Sequence, residues 1–393
     1  MSTLQPLTAP VKSPGSNTHL YPGRLMCLDV FRGLLVAGMI LVDNGDDKSY
    51  WALKHAEWNG WTPADFIFPS FLFLVGVSMV FSYAVRLRRG QSREQILWHA
   101  LKRSLLLIAI GLFVNGFPFI GIDWHSFRFE GVTQRIALCY FAAAVFVLWS
   151  NRRGQIIAIA ACLLGYWAVL RFLPVPGFGM PGRAMPFMDQ NANIAAWLDR
   201  KLFMGHLYNG NRDPEGIIHT IPATATTLIG VLTGGWLRSG RDRGTIALRM
   251  LLFGILGLFA GEVWNVWFPI NKNLWTSSFT LFAGGFSLVF LALLYWMLEI
   301  KQWRGVWTMP ILVFGRNAIA GFVADSFVYG PGYTWTVKGA NGTAILWHDA
   351  AQARLVTLVA NPANAALIFA VASVLFCWLL LWLLWRKRVF LKV

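Results

Sequence analysis

Long apolar runs leave this chain few folds to choose from. A helix that crosses a bilayer needs about 20 predominantly apolar residues. Ten stretches qualify: 25–43, 64–85, 101–119, 131–150, 154–172, 216–237, 246–267, 277–298, 308–329 and 364–385. Inside lipid a backbone must satisfy its own polar groups, so the expected fold is all-α, a polytopic membrane bundle of about ten helices. Only 13% of the 393 residues are charged and 56% are hydrophobic, whereas a soluble chain carries about 25% charged residues. The ninth run is the most polar, with Arg316, Asn317 and Asp325 inside it.

The formal charge is +16, from 34 Lys and Arg against 18 Asp and Glu. The basic residues sit in short clusters between apolar runs, which argues for positive-inside topology and against nucleic-acid binding. Alternate loops carry Arg86, Arg88, Arg89, Arg93, Lys102 and Arg103; Arg152 and Arg153; Arg238, Arg241, Arg243 and Arg249; and Lys301 and Arg304. The C-terminal stretch adds Arg386, Lys387, Arg388 and Lys392. The intervening loops are sparser in Lys and Arg. Both termini are therefore expected in the cytoplasm, with external loops at about 44–63, 120–130, 173–215, 268–276 and 330–363. Residues 1–24 are polar, rich in Pro, Ser and Thr, and lack a secretory apolar core, so they read as a flexible cytoplasmic tail. Residues 25–393 read as one membrane domain. Cys27, Cys139, Cys162 and Cys377 lie in or beside apolar runs without CxxC spacing and read as small buried hydrophobes. No HExxH or cysteine ligand set is present, so no metal is expected. A phosphate loop and a GxSxG elbow are also missing.

Polar chemistry concentrates at the ends of the runs. The first external loop places Asn44, His55, Trp58 and Asn59 in one short stretch. His55 suits a general base or a nucleophile, because imidazole titrates near neutral pH. Asn44 could orient it or donate to an oxyanion; the plainer reading is a solvated loop with a boundary histidine. Asp29 and Arg32 are three residues apart in the first run, a spacing that suits an intrahelical pair. Charges at membrane depth face a polar cavity or a partner, and Arg135 and Arg316 raise the same question. Asp65 in Thr62-Pro63-Ala64-Asp65 and Glu215 in Asp213-Pro214-Glu215-Gly216 read first as helix-start residues and second as ligand contacts. Asn271, Asn273 and Trp275 form a polar turn that offers amides and an aromatic face to a sugar, or simply connects two helices.

The chain also resembles a known family, the heparan-α-glucosaminide N-acetyltransferases, including bacterial members without the lumenal domain. The matching words are LDVFRG (28–33), Asn44 with KHAEWNG (54–60), TPADFIFPSFLFLVG (62–76), VTQRIAL (132–138), DPEGIIHTIPA (213–223), GVLTG (230–234), FPINKNLWTSSF (268–279) and the C-terminal WRKRVFLKV. They occur in family order across residues 25–393. The resemblance implies transfer of acetyl from cytosolic acetyl-CoA to a glucosamine amine across a bacterial inner membrane. It implies His55 as the catalytic residue, Asn44 in the active site, and a homodimer. Free glucosamine or a small amino-sugar glycan is the expected acceptor. CoA phosphates would meet the basic rim at Arg86, Arg88, Arg89, Arg103, Arg152 and Arg153. The pantetheine arm would thread between helices to His55, past a polar interior lined by Asp29, Arg32 and Arg135. Two features depart from the family pattern: Asp46 and Asp47 follow the asparagine where glycine is usual, and Arg316 stands where the residue is usually uncharged. The rival readings are an amino-sugar transporter, against which the absence of an internal repeat weighs, and a glycan O-acyltransferase.

Overall fold

A computed structural model describes residues 25–339 and 343–391. The expected tail at 1–24, and Lys392, lie outside the described residues. Each of the ten apolar runs contains a helix. These are α1 (Met26–Asp43), α2 (Ile67–Arg88), α3 (Arg93–Gly116), α4 (Val132–Trp149), α5 (Arg152–Phe172), α7 (Thr220–Leu237), α8 (Arg243–Asn265), α9 (Ser277–Tyr295), the pair α10 (Thr308–Arg316) and α11 (Ala318–Thr334), and α13 (Pro362–Arg386). Among the described residues, seven helices are long and apolar enough to cross a membrane, and eight if the bent pair counts as one span. The protein is therefore a polytopic helical membrane protein. The two remaining runs are the more polar ones: α1 carries Asp29, Arg32 and Asp43, and α7 is rich in Thr and Gly.

The ninth run is not one rod. Its two halves meet at 89°. Asn317 leaves the helical region at φ −127° and ψ 44°, and the C-terminal segment docks into the gap. The Asn317 amide donates to Val389 O (3.2 Å), and its oxygen accepts from Leu391 N (3.2 Å). The Asn317 side chain thus pairs with the backbone of the C-terminal segment, and the break is buried against protein, the condition under which broken helices persist at membrane depth. Two connecting segments hold further structure. α6 (Ile194–Phe203) lies in the 173–215 segment. In the 330–363 segment, β1 (Thr336–Lys338) pairs antiparallel with β2 (Ala344–Leu346) ahead of α12 (Trp347–Val359). The small ribbon departs from the expected all-α fold.

α2 and α9 form the middle of the bundle. Their most apolar windows are 67% and 61% buried, against 22% for α5 and 28% for each of α3, α8 and α13, whose apolar faces are left for lipid. α1 crosses α10 at backbone contact. A Cβ on Gly315 would lie 1.9 Å from Asp29 O, and one on Gly33 would lie 2.1 Å from Ile311 O. Only glycine allows that approach, and small residues at the crossing are how helices pack closely without a hydrophobic drive. The crossing brings Arg32 to the break in the ninth run, where its Nη1 reaches Gly315 O at 3.4 Å.

The loops at one end of the bundle contact one another. Gly60 N donates to Ile270 O (2.8 Å), Trp58 Nε1 to Met188 O (3.0 Å), and His206 Nδ1 lies 2.7 Å from Phe127 O. Segments 44–63, 120–130, 173–215 and 268–276 are thereby tied into one cap over the helices.

Candidate active site

The loop after α1 returns to the bundle at a helix start that Thr62, Pro63 and Asp65 build. Proline fits the first turn, where its missing N–H costs nothing. Asp65 Oδ2 accepts from Thr62 N (2.9 Å), Thr62 Oγ1 (3.1 Å) and Ala56 N (3.1 Å). Its other oxygen, Oδ1, lies 2.8 Å from His55 Nδ1. Asp65 is thus both the cap of the turn leading into α2 and the partner of His55. Its side chain is 0% exposed while the imidazole is 45% exposed. The carboxylate orients and the ring is left open. An anion at Nδ1 favours the tautomer with its proton there, so Nε2 carries the free lone pair.

Lys272 completes the cluster. Asn271 and Thr276 fold its turn: Asn271 Oδ1 accepts from Leu274 N (2.8 Å), and Thr276 Oγ1 accepts from Asn271 N (3.0 Å). Asn271 Nδ2 also reaches Asn59 Oδ1 at 3.2 Å, which ties this turn to the His55 loop. Lys272 Nζ then lies 3.0 Å from His55 Nδ1, 3.2 Å from His55 Nε2 and 3.5 Å from Asp65 Oδ1. Burial pushes the Lys272 ammonium below the usual lysine range, opposed by the carboxylates of Asp65, Glu215 and Asp43.

The other expected site residues fall in three places. Asn44 caps α1 and is buried; its amide donates to Ile40 O (2.9 Å) and Asp325 Oδ1 (2.6 Å), so both of its hydrogens are engaged. Trp58, Asn59 and Asn273 sit in the loop cap near His55, with Trp58 and Asn273 on a small cleft shared with Asn193 and Arg212. Trp275 and Asn271 are fully inside: Trp275 Nε1 donates to Thr226 Oγ1 (3.2 Å) and its ring carries the Arg135 guanidinium at 5.2 Å. Arg135 is buried and donates to Gly216 O at 3.2 Å. Glu215 pairs with Arg128, which also grips Asp213 through Nε (2.7 Å) and Nη2 (2.5 Å).

Asp29 and Arg32 lie beneath, with Arg32 Nη1 3.3 Å from Asp29 Oδ1 and Nη2 3.0 Å from Ser78 Oγ. Arg32 opens onto a cavity of about 300 Å3 between α1, α2, α3, α4 and the broken ninth run. Arg103 and Arg316 line the same cavity, with Thr133, Phe322 and Leu391 among the remaining walls. Arg103 stacks on Tyr140 (4.7 Å) and Arg316 on Trp385 (5.2 Å), and each has a buried Nε without a partner. Of the six arginines expected to meet CoA phosphates, Arg103 alone lines this cavity. Arg88, Arg89 and Arg153 are exposed, Arg86 reaches Gln91 (3.2 Å), and Arg152 lies 5.9 Å over Trp236.

Sequence reasoning passed over Lys272 in the cluster and Asp325 beside Asn44. Lys272 stood inside the quoted word FPINKNLWTSSF, flanked by the two asparagines that drew notice. Asp325 was visible as a carboxylate in an apolar run, and it meets Asn44 across 281 residues.

The catalytic-domain model of heparan-alpha-glucosaminide N-acetyltransferase matches residues 24–253. The chain is similar to the Mus musculus protein of that name, at 32% identity over 351 aligned positions, 76% of this chain and 53% of the mouse protein. To the Homo sapiens protein of the same name it is 30% identical over 445 aligned positions, 100% of this chain and 63% of the human one. The chain thus spans between about half and two thirds of the length of these relatives. By the match over more than half of its residues, the chain belongs to the heparan-alpha-glucosaminide N-acetyltransferase catalytic family.

Proposed function

We propose that this protein is a transmembrane N-acetyltransferase. It moves acetyl from cytosolic acetyl-CoA to the amine of glucosamine, or of a small amino-sugar glycan, on the periplasmic face of a bacterial inner membrane. All ten runs cross in this reading, both termini are cytoplasmic, and the loop cap around His55 is external. The observation that carries the reading is the His55–Asp65 contact of 2.8 Å, which leaves Nε2 free on a half-exposed ring. The two relatives bear the name of such an enzyme.

Acetyl-CoA supplies the thioester carbonyl. Its polyanionic end needs cations and its pantetheine arm needs a shielded path. The cavity of about 300 Å3 offers three guanidiniums, Arg32, Arg103 and Arg316, amid apolar walls. Unpartnered nitrogens on Arg103 and Arg316 are suited to phosphate oxygens, which take charge-assisted hydrogen bonds. At the outer end, Nε2 either removes the proton as the amine attacks the thioester carbon, or attacks that carbon itself and passes the acetyl on. Asp65 stabilises the imidazolium in the first course and holds the ring in both. Asp46 and Asp47 would favour approach of a cationic amino sugar, and Trp58, Asn59 and Asn273 would contact it.

The test uses the purified full chain in detergent with labelled acetyl-CoA and glucosamine. N-acetylglucosamine formation that disappears in His55→Ala supports the enzyme. Uptake of unmodified sugar into vesicles without acetyl-CoA would instead make it a carrier, and label on a sugar oxygen would make it an O-acyltransferase.

A further inference from the structure

Acyl transfer needs a donor at the carbonyl oxygen, where negative charge builds as the tetrahedral intermediate forms. Asn44 has no hydrogen left to give: both amide hydrogens are held, one by Ile40 O and one by Asp325 Oδ1. Lys272 stands beside the ring with donors to spare. Its ammonium has three N–H bonds, and Nζ lies 3.2 Å from His55 Nε2, the atom beside which the carbonyl must sit.

We propose that Lys272 is a catalytic residue of this site, the cation that stabilises the oxyanion of acetyl transfer at His55. This inference rests on the proposed acetyltransferase function.

The resting contacts show how the group can act late rather than early. Nζ lies 3.0 Å from Nδ1 and 3.2 Å from Nε2, so the ammonium sits beside both ring nitrogens and leaves the outward lone pair of Nε2 open. When the acyl carbonyl arrives at Nε2, the ammonium turns to the carbonyl oxygen over a short distance. In direct transfer, the amine nitrogen bonds to the thioester carbon and the carbonyl π pair moves to oxygen, beside Nζ. The amine proton passes to Nε2. Collapse of the intermediate re-forms the carbonyl and breaks the C–S bond, and the departing thiolate takes the proton from the imidazolium. If Nε2 itself attacks, the same oxyanion forms at the same place. The cation meets full negative charge only in the intermediate, the condition for raising kcat rather than binding. Asp65, Asp43 and Glu215 are the carboxylates that face the ammonium, and the His55 ring lies beside it. They favour its charged form against burial.

The experiment compares Lys272→Met and Lys272→Arg with the parent in full-length protein, reading kcat, KM for acetyl-CoA and the pH profile of kcat. Lys272→Met should lose about 10²–10³-fold in kcat, with KM little changed. Lys272→Arg should keep a substantial part of the rate. The parent should show an alkaline decline that begins below the usual lysine range of about 10.4. The Arg variant should lack it, because a guanidinium stays charged. Met-variant turnover within threefold of the parent overturns the proposal, and so does a folded Arg variant as slow as the Met variant. Should the Met variant fail to fold, the pH profiles decide: an alkaline limb unchanged in Lys272→Arg overturns it. Acetylation that depends on His55 but not on Lys272 sinks this inference alone, whereas absence of any His55-dependent acetylation sinks the proposed function with it.

Discussion

Two acidic turns precede inner helices, and they do different work. At the first, Asp65 takes three donors from Thr62 and Ala56 on one oxygen and turns the other to His55. At the second, Asp213 accepts from Tyr208 N (3.0 Å) and Glu215 N (2.9 Å) and gives its remaining capacity to the Arg128 fork. α7 does not begin there but at Thr220. Both carboxylates are 0% exposed; the difference lies in the partner. Imidazole can pass a proton and guanidinium cannot. A buried acid facing a half-open histidine can serve a reaction, while the same acid clamped by arginine fastens one loop to another.

Asp65→Asn attacks the first turn and should have the largest effect. The amide keeps the shape and part of the cap but removes the anion at Nδ1, which frees the ring to adopt the wrong tautomer. Acetylation of glucosamine should fall on the order of 10⁴-fold, in line with loss of the orienting carboxylate in other histidine-based acyl transfer. An unfolding midpoint near the parent's should accompany it. Activity within tenfold of the parent would erase the distinction drawn here.

Arg128→Met attacks the second turn. It strands Asp213 as a buried charge without its counter-ion, which costs about 3–5 kcal/mol when one partner of a buried pair is removed. Detergent unfolding should show that loss, while kcat per folded molecule stays within a few-fold. A collapse of kcat in fully folded protein would place the Arg128 network in the chemistry and contradict the comparison.

A pH series sharpens it further. Arg128 holds the Asp213 carboxyl below its ordinary value against the pull of burial. That contribution is present above the unfolded value near 4 and fades as pH falls through the folded one. Close by, burial pushes Glu130 up to about 8 and Asp199 up to about 7, with neighbouring carboxylates adding to both. Those two acids bind protons more tightly folded than unfolded. Their contribution is complete below the unfolded values near 4 and is lost as pH rises through about 7 and about 8. Stability should therefore decline between about pH 4 and about pH 8. Glu130→Gln should flatten the upper part of that decline. A flat unfolding midpoint across this range in the parent would show that the cluster stays ionised.

What could be read in advance follows the range of the forces. Apolar length is local, so the ten runs are visible in sequence, and Arg316, Asn317 and Asp325 mark the run that breaks. The His55 loop stands out for the same reason, since its polar residues are contiguous. Contacts made by folding are not contiguous. Spacing shows Asp65 as a helix start, but its second oxygen meets His55 only because the loop doubles back. Lys272 reaches the ring from 217 residues away. The cluster of Arg32, Arg103 and Arg316 around one cavity depends on a helix crossing that two glycines permit. The arginines at 86–89 and 152–153 record which face carries positive charge, which is a property of topology rather than of a pocket.

Thr62→Ala tests the part of the first turn that is purely structural. The single Thr62 Oγ1 hydrogen is shared between Lys54 O at 2.5 Å, one residue before His55, and Asp65 Oδ2 at 3.1 Å. Its backbone N–H, also on Asp65, survives the substitution. Losing a capping hydroxyl costs about 1 kcal/mol, and Asp65 retains Ala56 N and His55. The expected result is a small drop in unfolding midpoint and a kcat within about fivefold of the parent, far from the Asp65→Asn outcome. If removing this hydroxyl instead costs as much activity as removing the carboxylate's charge, then the Lys54–Thr62 tether sets the ring's position, and Asp65 is a cap that happens to lie beside it.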